Sequence, residues 1–340
     1  MFNKALTMLA AGHDLDDDIM SACMHNIMSG SASDVQIASF LTALSIKGET
    51  AQEIAAAARV MRSKAVPIPL KTVTRTNLVD IVGTGGDMAD TFNISTAAAF
   101  VACAAGLTIA KHGNRAATSK SGSADVLEAL GINIMLTPEQ VADCIERIGI
   151  GFLFARSLHP AMKHAAPVRT QIPMPTVFNL LGPLTNPADA DCIVLGVNKR
   201  DRTAMMATVA GLTGCRRALV VHGLDGLDEI SICAPTQISS YADGWVTTDI
   251  FDPAELGLPY ASRSDIVGGD ALQNAQIIQD IFKGEQGPRR TIVCLNAGAA
   301  LVATGSASTL NVGFKQACAA VDSGAALRKL KKLQKITSGF

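Results

Sequence analysis

The stretch Val220-Val221-His222-Gly223-Leu224-Asp225-Gly226-Leu227-Asp228-Glu229 runs from apolar residues through a glycine turn into adjacent carboxylates. Carboxylate oxygens are hard donors. Magnesium takes a few of them and fills its other positions with water and substrate phosphate oxygens, so Asp228 and Glu229 are candidate ligands. Asp225 is chemically equivalent, and spacing alone does not choose among the three. A second apolar run ends in Gly83-Thr84-Gly85-Gly86-Asp87. Glycines there let backbone N–H groups reach a phosphate with no Cβ in the way. The loop lacks the Gly-Lys-Ser/Thr ending of a P-loop and the G-x-G-x-x-G spacing of a dinucleotide site. Thr91-Phe92-Asn93-Ile94-Ser95-Thr96 follows and opens an Ala-rich helix. Its polar residues serve either as ordinary caps or as an anion site fed by free N–H groups and the helix dipole. A serine hydroxyl here also reaches a phosphate-bound metal. From Lys111 to Ser123 the chain carries two lysines, one arginine and four hydroxyl residues. This loop repeats the strand-to-helix placement of the first, and together they point to a polyphosphate ligand.

Such residues need a frame. Asp16, Asp17 and Asp18 charge the start of a helix that Gly30 closes. Ser33 or Asp34 caps the next, where Ile37, Phe40, Leu41 and Leu44 repeat at helical spacing up to Gly48. Thr50 opens a fourth helix, and Pro67 and Pro69 stop it. From Leu78 onward, apolar runs alternate with glycine turns and helical patterns. Strands are predicted over 78–82, 107–110, 132–135, 193–196, 218–221 and 291–295. Helices are predicted over 96–105, 125–130, 202–212 and 271–282. This alternation predicts an α/β fold with a mostly parallel sheet covered by helices on both faces, beside a small all-helical domain. Residues 159–176 are helical in pattern, proline-rich and without a clear strand, so they are assigned to the helical part. The expected division is 1–66 with 159–176 as the helical domain, and 67–158 with 177–340 as the α/β domain. Ligands of open α/β sheets bind beyond the carboxyl ends of the strands, which is where the four clusters fall. The basic run 328–335 reads as the solvated face of a terminal amphipathic helix.

Composition narrows the partners. The net charge of -1 gives no global field for nucleic acid or an anionic membrane. Eight cysteines are present without a C-x-x-C pair, mostly in apolar runs, which predicts buried free thiols in a reducing compartment. The N-terminus lacks a secretory pattern, and the apolar run 94–110 is too short to span a bilayer and is broken by Gly106. A cytoplasmic protein with no membrane contact is expected.

The motifs also carry a resemblance. Gly83-Thr84-Gly85-Gly86-Asp87, Asn93-Ile94-Ser95-Thr96, Lys111-His112-Gly113-Asn114-Arg115 and Lys120-Ser121-Gly122-Ser123-Ala124-Asp125-Val126-Leu127-Glu128 resemble the anthranilate phosphoribosyltransferase family. His159-Pro160-Ala161-Met162-Lys163-His164, Pro167-Val168-Arg169, Phe178-Asn179-Leu180-Leu181-Gly182-Pro183-Leu184-Thr185-Asn186-Pro187 and the run ending at Glu229 extend it, in order, over nearly the whole chain. The resemblance implies a mixed sheet and a homodimer formed through the helical domains. It implies transfer of phosphoribosyl from 5-phosphoribosyl 1-pyrophosphate to anthranilate, in tryptophan synthesis. Gly83, Gly86, Asp87, Thr91, Asn93, Ile94, Ser95 and Thr96 are then one wall of the phosphoribosyl pyrophosphate site. Lys111, His112, Gly113, Asn114, Arg115, Ala116, Ala117, Thr118, Ser119 and Ser123 are the other. Ser95, Asp228 and Glu229 are implied as ligands of two magnesium ions, and Lys111, Asp228 and Glu229 as the catalytic groups, with magnesium on the two carboxylates and the Lys111 ammonium neutralising charge on the leaving pyrophosphate. Asn114 and Arg169 are implied as anthranilate contacts, with Gly83 close to both substrates. A planar guanidinium suits a carboxylate through a bidentate pair, which lysine does not reproduce.

Three places depart from the family pattern: Met88-Ala89-Asp90 where glycine is usual, Ala116-Ala117 where a serine is common, and Pro173-Met174-Pro175-Thr176 where an arginine often stands. Pyrimidine nucleoside phosphorylases share the architecture but are longer and usually carry serine in place of Gly113. A nucleic-acid-binding relative needs a broad basic surface, which this charge balance does not supply.

Overall fold

Four helices open the chain: α1 (Phe2–Ala10), α2 (Asp17–Ser29), α3 (Asp34–Lys47) and α4 (Ala51–Ser63). Their starts follow from capping chemistry. Asp16 accepts the Ile19 N–H at 2.8 Å. Ser33 and Thr50 form reciprocal caps with Gln36 and Glu53. Glu53 does more than cap. Its buried carboxylate accepts the Leu15 and Thr50 amides, each at 2.8 Å, and Lys47 Nζ at 2.7 Å. One carboxylate therefore ties α3, α4 and the turn before α2.

The computed structural model describes residues 1–75, 78–116 and 120–340. After the first four helices come β1 (Leu78–Gly83), α5 (Ile94–Ala104), β2 (Thr108–Gly113), α6 (Ser123–Ala129), α7 (Pro138–Ile148) and β3 (Ile150–Phe154). Three short helices follow, α8 (Ala155–Leu158), α9 (Ala166–Arg169) and α10 (Phe178–Leu181). Then come β4 (Cys192–Gly196), α11 (Arg202–Leu212), β5 (Arg217–Gly223), β6 (Thr236–Ala242) and β7 (Trp245–Phe251). The chain closes with α12 (Ala271–Phe282), α13 (Pro288–Thr304), α14 (Leu310–Asp322) and α15 (Ala325–Thr337).

The sheet order is β3-β2-β1-β4-β5-β6-β7. The first five strands in that order are parallel, and β6 and β7 are antiparallel. From β1 the chain builds outward to β2 and β3, then returns to place β4 on the other side. The switch point lies between β1 and β4, which is where a crevice for a ligand opens in such sheets. Strand alternation divides the core. Val79, Ile81, Val194 and Val221 face α5 and α13, while Ile193, Leu195 and Val220 share a cluster with α11, α10 and the opening helices. Ala165 and Val168, from the proline-rich segment, join that second cluster.

Two expected strands are corrected. Residues 291–295 lie inside α13, whose apolar run is buried all round between the sheet, α5 and α14. Such a run matches a buried strand until its length is weighed. Residues 132–135 bury Ile132 and Ile134 by alternation but pair with no strand among the described residues. The β6–β7 hairpin lies outside the expected set. Its signal is Asp243-Gly244, with φ of 51° and 87°, the two-residue turn that matches strand twist. Among the described residues no helix is long and apolar enough to cross a membrane.

Candidate active site

Gly83 and Gly196 face each other across β1 and β4 at the switch point. A Cβ on Gly83 would stand 2.5 Å from Asp228 Oδ2, and one on Gly196 would overlap the Asp228 carbonyl. The two glycines form the notch that admits the loop after β5. Asp228 Oδ2 there accepts the Gly85 N–H at 2.8 Å, and Glu229 Oε1 accepts the Ser95 N–H at 3.1 Å. Burial, then the neighbouring Asp87 carboxylate, push the Asp228 carboxyl up to about 7. Burial, then Asp228, raise Glu229 well above the usual carboxylate range, although Lys111 opposes this. Carboxylates held together with too little compensating charge are chemically suited to a cation. Among the described residues no three His, Cys, Asp or Glu side chains gather on one point. A few carboxylate oxygens beside a serine hydroxyl fit magnesium, whose shell is completed by water and phosphate, better than zinc. Asp225 belongs to its own turn, where it accepts from Ser231 Oγ at 2.9 Å.

The start of α5 faces this cluster. Asn93 occupies the cap position but makes no side-chain capping bond. It donates instead to the Ser121 carbonyl at 3.0 Å, while the Thr96 hydroxyl is buried without a partner. The polar residues of this helix start are thus not consumed as caps. Lys111 lies buried on β2, donating to the Ile81 carbonyl at 2.6 Å and standing 3.5 Å from Ser95 Oγ. Burial lowers its pKa, and Asp80 and Glu229 work against that.

Asp125 sets the shape of the basic loop. Its Oδ2 accepts the Ala116 and Gly122 amides at 3.0 and 2.9 Å, so one carboxylate closes both ends. Arg115 pairs with Asp125 and Glu128, at 2.9 and 2.5 Å, and lies over the Phe154 ring. Its guanidinium is spent on the loop's base. Asn114 Oδ1 is taken by the Arg115 N–H at 2.9 Å, which leaves the NH2 end to offer a ligand. Ser123 Oγ brackets the Asn114 backbone, accepting its N–H and donating to its carbonyl. A side chain at Gly113 would overlap Ser123. Ala117, Thr118 and Ser119 lie outside the described residues. Asp90, at the first departure from the family pattern, stands 3.5 Å from Lys120, so its charge faces the other loop. Met88 and Asp90 both take left-handed backbone, at φ 53° and 52°.

Arg169 sits half-buried at the end of α9, its guanidinium 5.0 Å from the Phe178 ring centre. It makes no ion pair within the described residues, and burial lowers its pKa. A desolvated guanidinium without a carboxylate is suited to an anionic ligand. His112 on β2 and His159, upstream of Arg169, meet through their Nε2 atoms at 3.1 Å. Burial, then the neighbouring ring, lower His112 to about 3, and burial lowers His159 to about 4. His222 donates from Nδ1 to the Val197 carbonyl at 2.8 Å, a structural bond. Sequence reasoning passed over Asn296, whose amide takes both backbone groups of Ile230, at 2.9 and 3.0 Å, immediately after Glu229. One isolated amide in the apolar run of α13 was its only signal.

The chain matches two family models, "Glycosyl transferase family, helical bundle domain" over residues 3–65 and "Glycosyl transferase family, a/b domain" over residues 75–327. Fold and site together define a glycosyl transferase. An anthranilate phosphoribosyltransferase of Symbiobacterium thermophilum is 52% identical over 332 residues, covering 98% of this chain and 96% of the relative. The crystal structure of the Thermus thermophilus enzyme of that name superposes with a TM-score of 0.92 at 43% identity, covering 98% of this chain and 99% of that one. A Saccharomyces cerevisiae anthranilate phosphoribosyltransferase in complex with PRPP and Mg gives a TM-score of 0.89 at 27% identity, covering 100% and 98%. The chain belongs to the anthranilate phosphoribosyltransferase family.

Proposed function

We propose that this site transfers the phosphoribosyl group of 5-phosphoribosyl 1-pyrophosphate to the amine of anthranilate, giving N-(5-phosphoribosyl)anthranilate and pyrophosphate, a step of tryptophan synthesis. The observation that carries the reading is the placement of Asp228 and Glu229 against the start of α5, with the unpaired Arg169 on the segment beyond β3. The pyrophosphate lies between the Gly83–Asp87 loop and the Asn93–Thr96 helix start, with the Lys111–Ser119 loop and Ser123 as its second wall. Bound magnesium supplies positive charge to the pyrophosphate, and Ser95, Asp228 and Glu229 are the residues that would hold it. Helix N–H groups and Lys111 add fixed positive potential where leaving-group charge grows. Asn114 and Arg169 hold the anthranilate so that its amine faces C1 of the ribose, with inversion at that carbon. The aromatic amine is neutral at pH 7, so positioning replaces a general base. The buried His112–His159 pair is held neutral and fits a structural role.

The same reading divides the chain into residues 1–66 with 159–176 and residues 67–158 with 177–340. It also pairs two copies through the opening helices, and Val35 and Ile46, 75% and 74% exposed on α3, favour that surface. Sedimentation at the mass of a single chain, 35.3 kDa, would sink the pairing.

Anthranilate fluorescence is the test of the activity. It should fall when the protein, magnesium and phosphoribosyl pyrophosphate are combined, and hold steady when any one is left out. A steady signal with all three present rejects the proposed reaction.

A further inference from the structure

Asn274, near the start of α12, is 1% exposed. Its Oδ1 accepts the Gly269 N–H at 2.8 Å, and its Nδ2 donates to Asn93 Oδ1 at 3.0 Å. Asn93 Nδ2 in turn donates to the Ser121 carbonyl at 3.0 Å. This is a chain of two amides with a backbone group at each end. Amide orientations are normally ambiguous, because oxygen and nitrogen are isosteric. Here they are not. A backbone N–H can only donate and a backbone C=O can only accept, so the ends fix the sense of both amides.

We infer that Asn274 is a positioning residue for the phosphate-binding loops, acting through Asn93 by setting which end of that amide faces Ser121. The chain crosses three segments. Gly269 precedes the Asp270 cap of α12, Asn93 stands at the cap position of α5, and Ser121 leaves the basic loop. The α12 side is anchored close by. The Phe92 and Gly268 amides bond to the Ile266 and Asp90 carbonyls. A Cβ on Gly268 would stand 2.6 Å from the Phe92 backbone and 2.7 Å from Asn274 Oδ1. The segment before α12 and the start of α5 are thus tied to the exit of the basic loop through two side-chain amides. The inference rests on the proposed phosphoribosyl pyrophosphate site.

Asn274→Asp is the informative change. It keeps the size and the acceptor for Gly269, but it cannot donate to Asn93 Oδ1. Asn93 must then turn its NH2 toward residue 274, which aims its oxygen at the Ser121 carbonyl, and two acceptors repel. Asn274→Ala removes both bonds but imposes no reversal. The expected result is a KM for phosphoribosyl pyrophosphate raised about tenfold in Asn274→Asp, with kcat and the anthranilate KM within about twofold, and a smaller KM rise in Asn274→Ala. Hydrogen exchange of the peptide 120–125 should quicken in both variants while α13 is unchanged. An unchanged KM in Asn274→Asp, or a larger KM rise in Asn274→Ala, overturns the inference. If Asn274→Asp does not fold, unchanged exchange at 120–125 in Asn274→Ala overturns it alone. The exchange readout needs no substrate, so wild-type inactivity would count against the proposed reaction and leave the amide chain to be judged separately.

Discussion

Asp228 faces two demands that conflict in the folded chain alone. It sits in the notch between Gly83 and Gly196, out of water, and the proposed magnesium role requires it to stay ionised beside Asp87. Asp87 pushes the Asp228 carboxyl up, and both push Glu229 up, so the cluster stores repulsion that a divalent cation would relieve. Replacing both Asp228→Asn and Glu229→Gln should therefore do two opposite things. Turnover should fall by on the order of a hundredfold or more, since charge on the leaving pyrophosphate is no longer neutralised. The melting temperature without magnesium should rise, because uncompensated buried charge has been removed. Full activity, or a lower melting temperature with activity lost, would contradict this account. Arg169 makes the complementary case. Arg169→Ala should raise the anthranilate KM by roughly one to two decades and leave the phosphoribosyl pyrophosphate KM nearly unchanged, as expected for loss of a charged hydrogen bond. Steady-state kinetics with each substrate varied would settle it, and an unmoved anthranilate KM would remove Arg169 from that role.

The elements carry their own test at Glu53, which is 0% exposed and accepts from two amides and Lys47. Lys47 is itself buried, with its side chain 5% exposed. Glu53→Ala should cost about 2–4 kcal/mol, because it leaves two amides without an acceptor and Lys47 with Asp14 as its remaining carboxylate, at 2.7 Å. Urea unfolding measures this, and a loss below about 1 kcal/mol would show that water replaces the carboxylate. The boundaries of these helices were legible, since caps are local chemistry: Asp16, Ser33, Thr50 and Gly30 each act within a turn of the residue they satisfy. The start of α5 was legible only in part. Its polar residues were visible, but whether Asn93 capped the helix or reached Ser121 depended on a segment 28 residues away. Strand 291–295 failed for a related reason. A run buried all round looks alike in helix and sheet, and only the tertiary position of α13 decides. Asn274, Asn296 and Asp125 were invisible as site-builders because each works through backbone groups of distant or neighbouring segments, and no residue-type signal announces that.

At the scale of the whole molecule, the His112–His159 contact couples β2 to the proline-rich segment that carries Arg169. Both rings stay neutral in the folded chain down to about pH 4, whereas unfolded imidazoles protonate near about 6.5. The unfolded chain therefore binds more protons between those values, and stability falls as pH falls through that window. Asp80 works the other way. Burial raises it to about 6, so the folded chain takes up a proton there before the unfolded chain does. Asp228 and Glu229, raised by burial, oppose the imidazoles in the same way as Asp80, so the contribution of the rings is read as the difference between the parent and a histidine variant. His159→Gln should remove on the order of 3 kcal/mol of that pH dependence. On going from about pH 7 to 4.5 the melting temperature of the variant should change more favourably than that of the parent, and parallel curves would show that the rings do not act in this window. The parallel sheet and its crevice at the strand ends were readable from alternation alone. What lay beyond reach was which side chains are spent on architecture: Arg115, basic and well placed, is committed to Asp125 and Glu128.

The notch at the switch point has a consequence for how mutational scans of this chain would look. Gly196 contacts no proposed ligand, yet any side chain there would displace the Asp228 backbone. A library scored by growth would rank it with the carboxylates proposed to hold magnesium. Arg115, inside the proposed binding loop, would rank with residues that only hold a loop in shape. Intolerance to change and contact with substrate are separate properties here, and a map of one is a poor guide to the other.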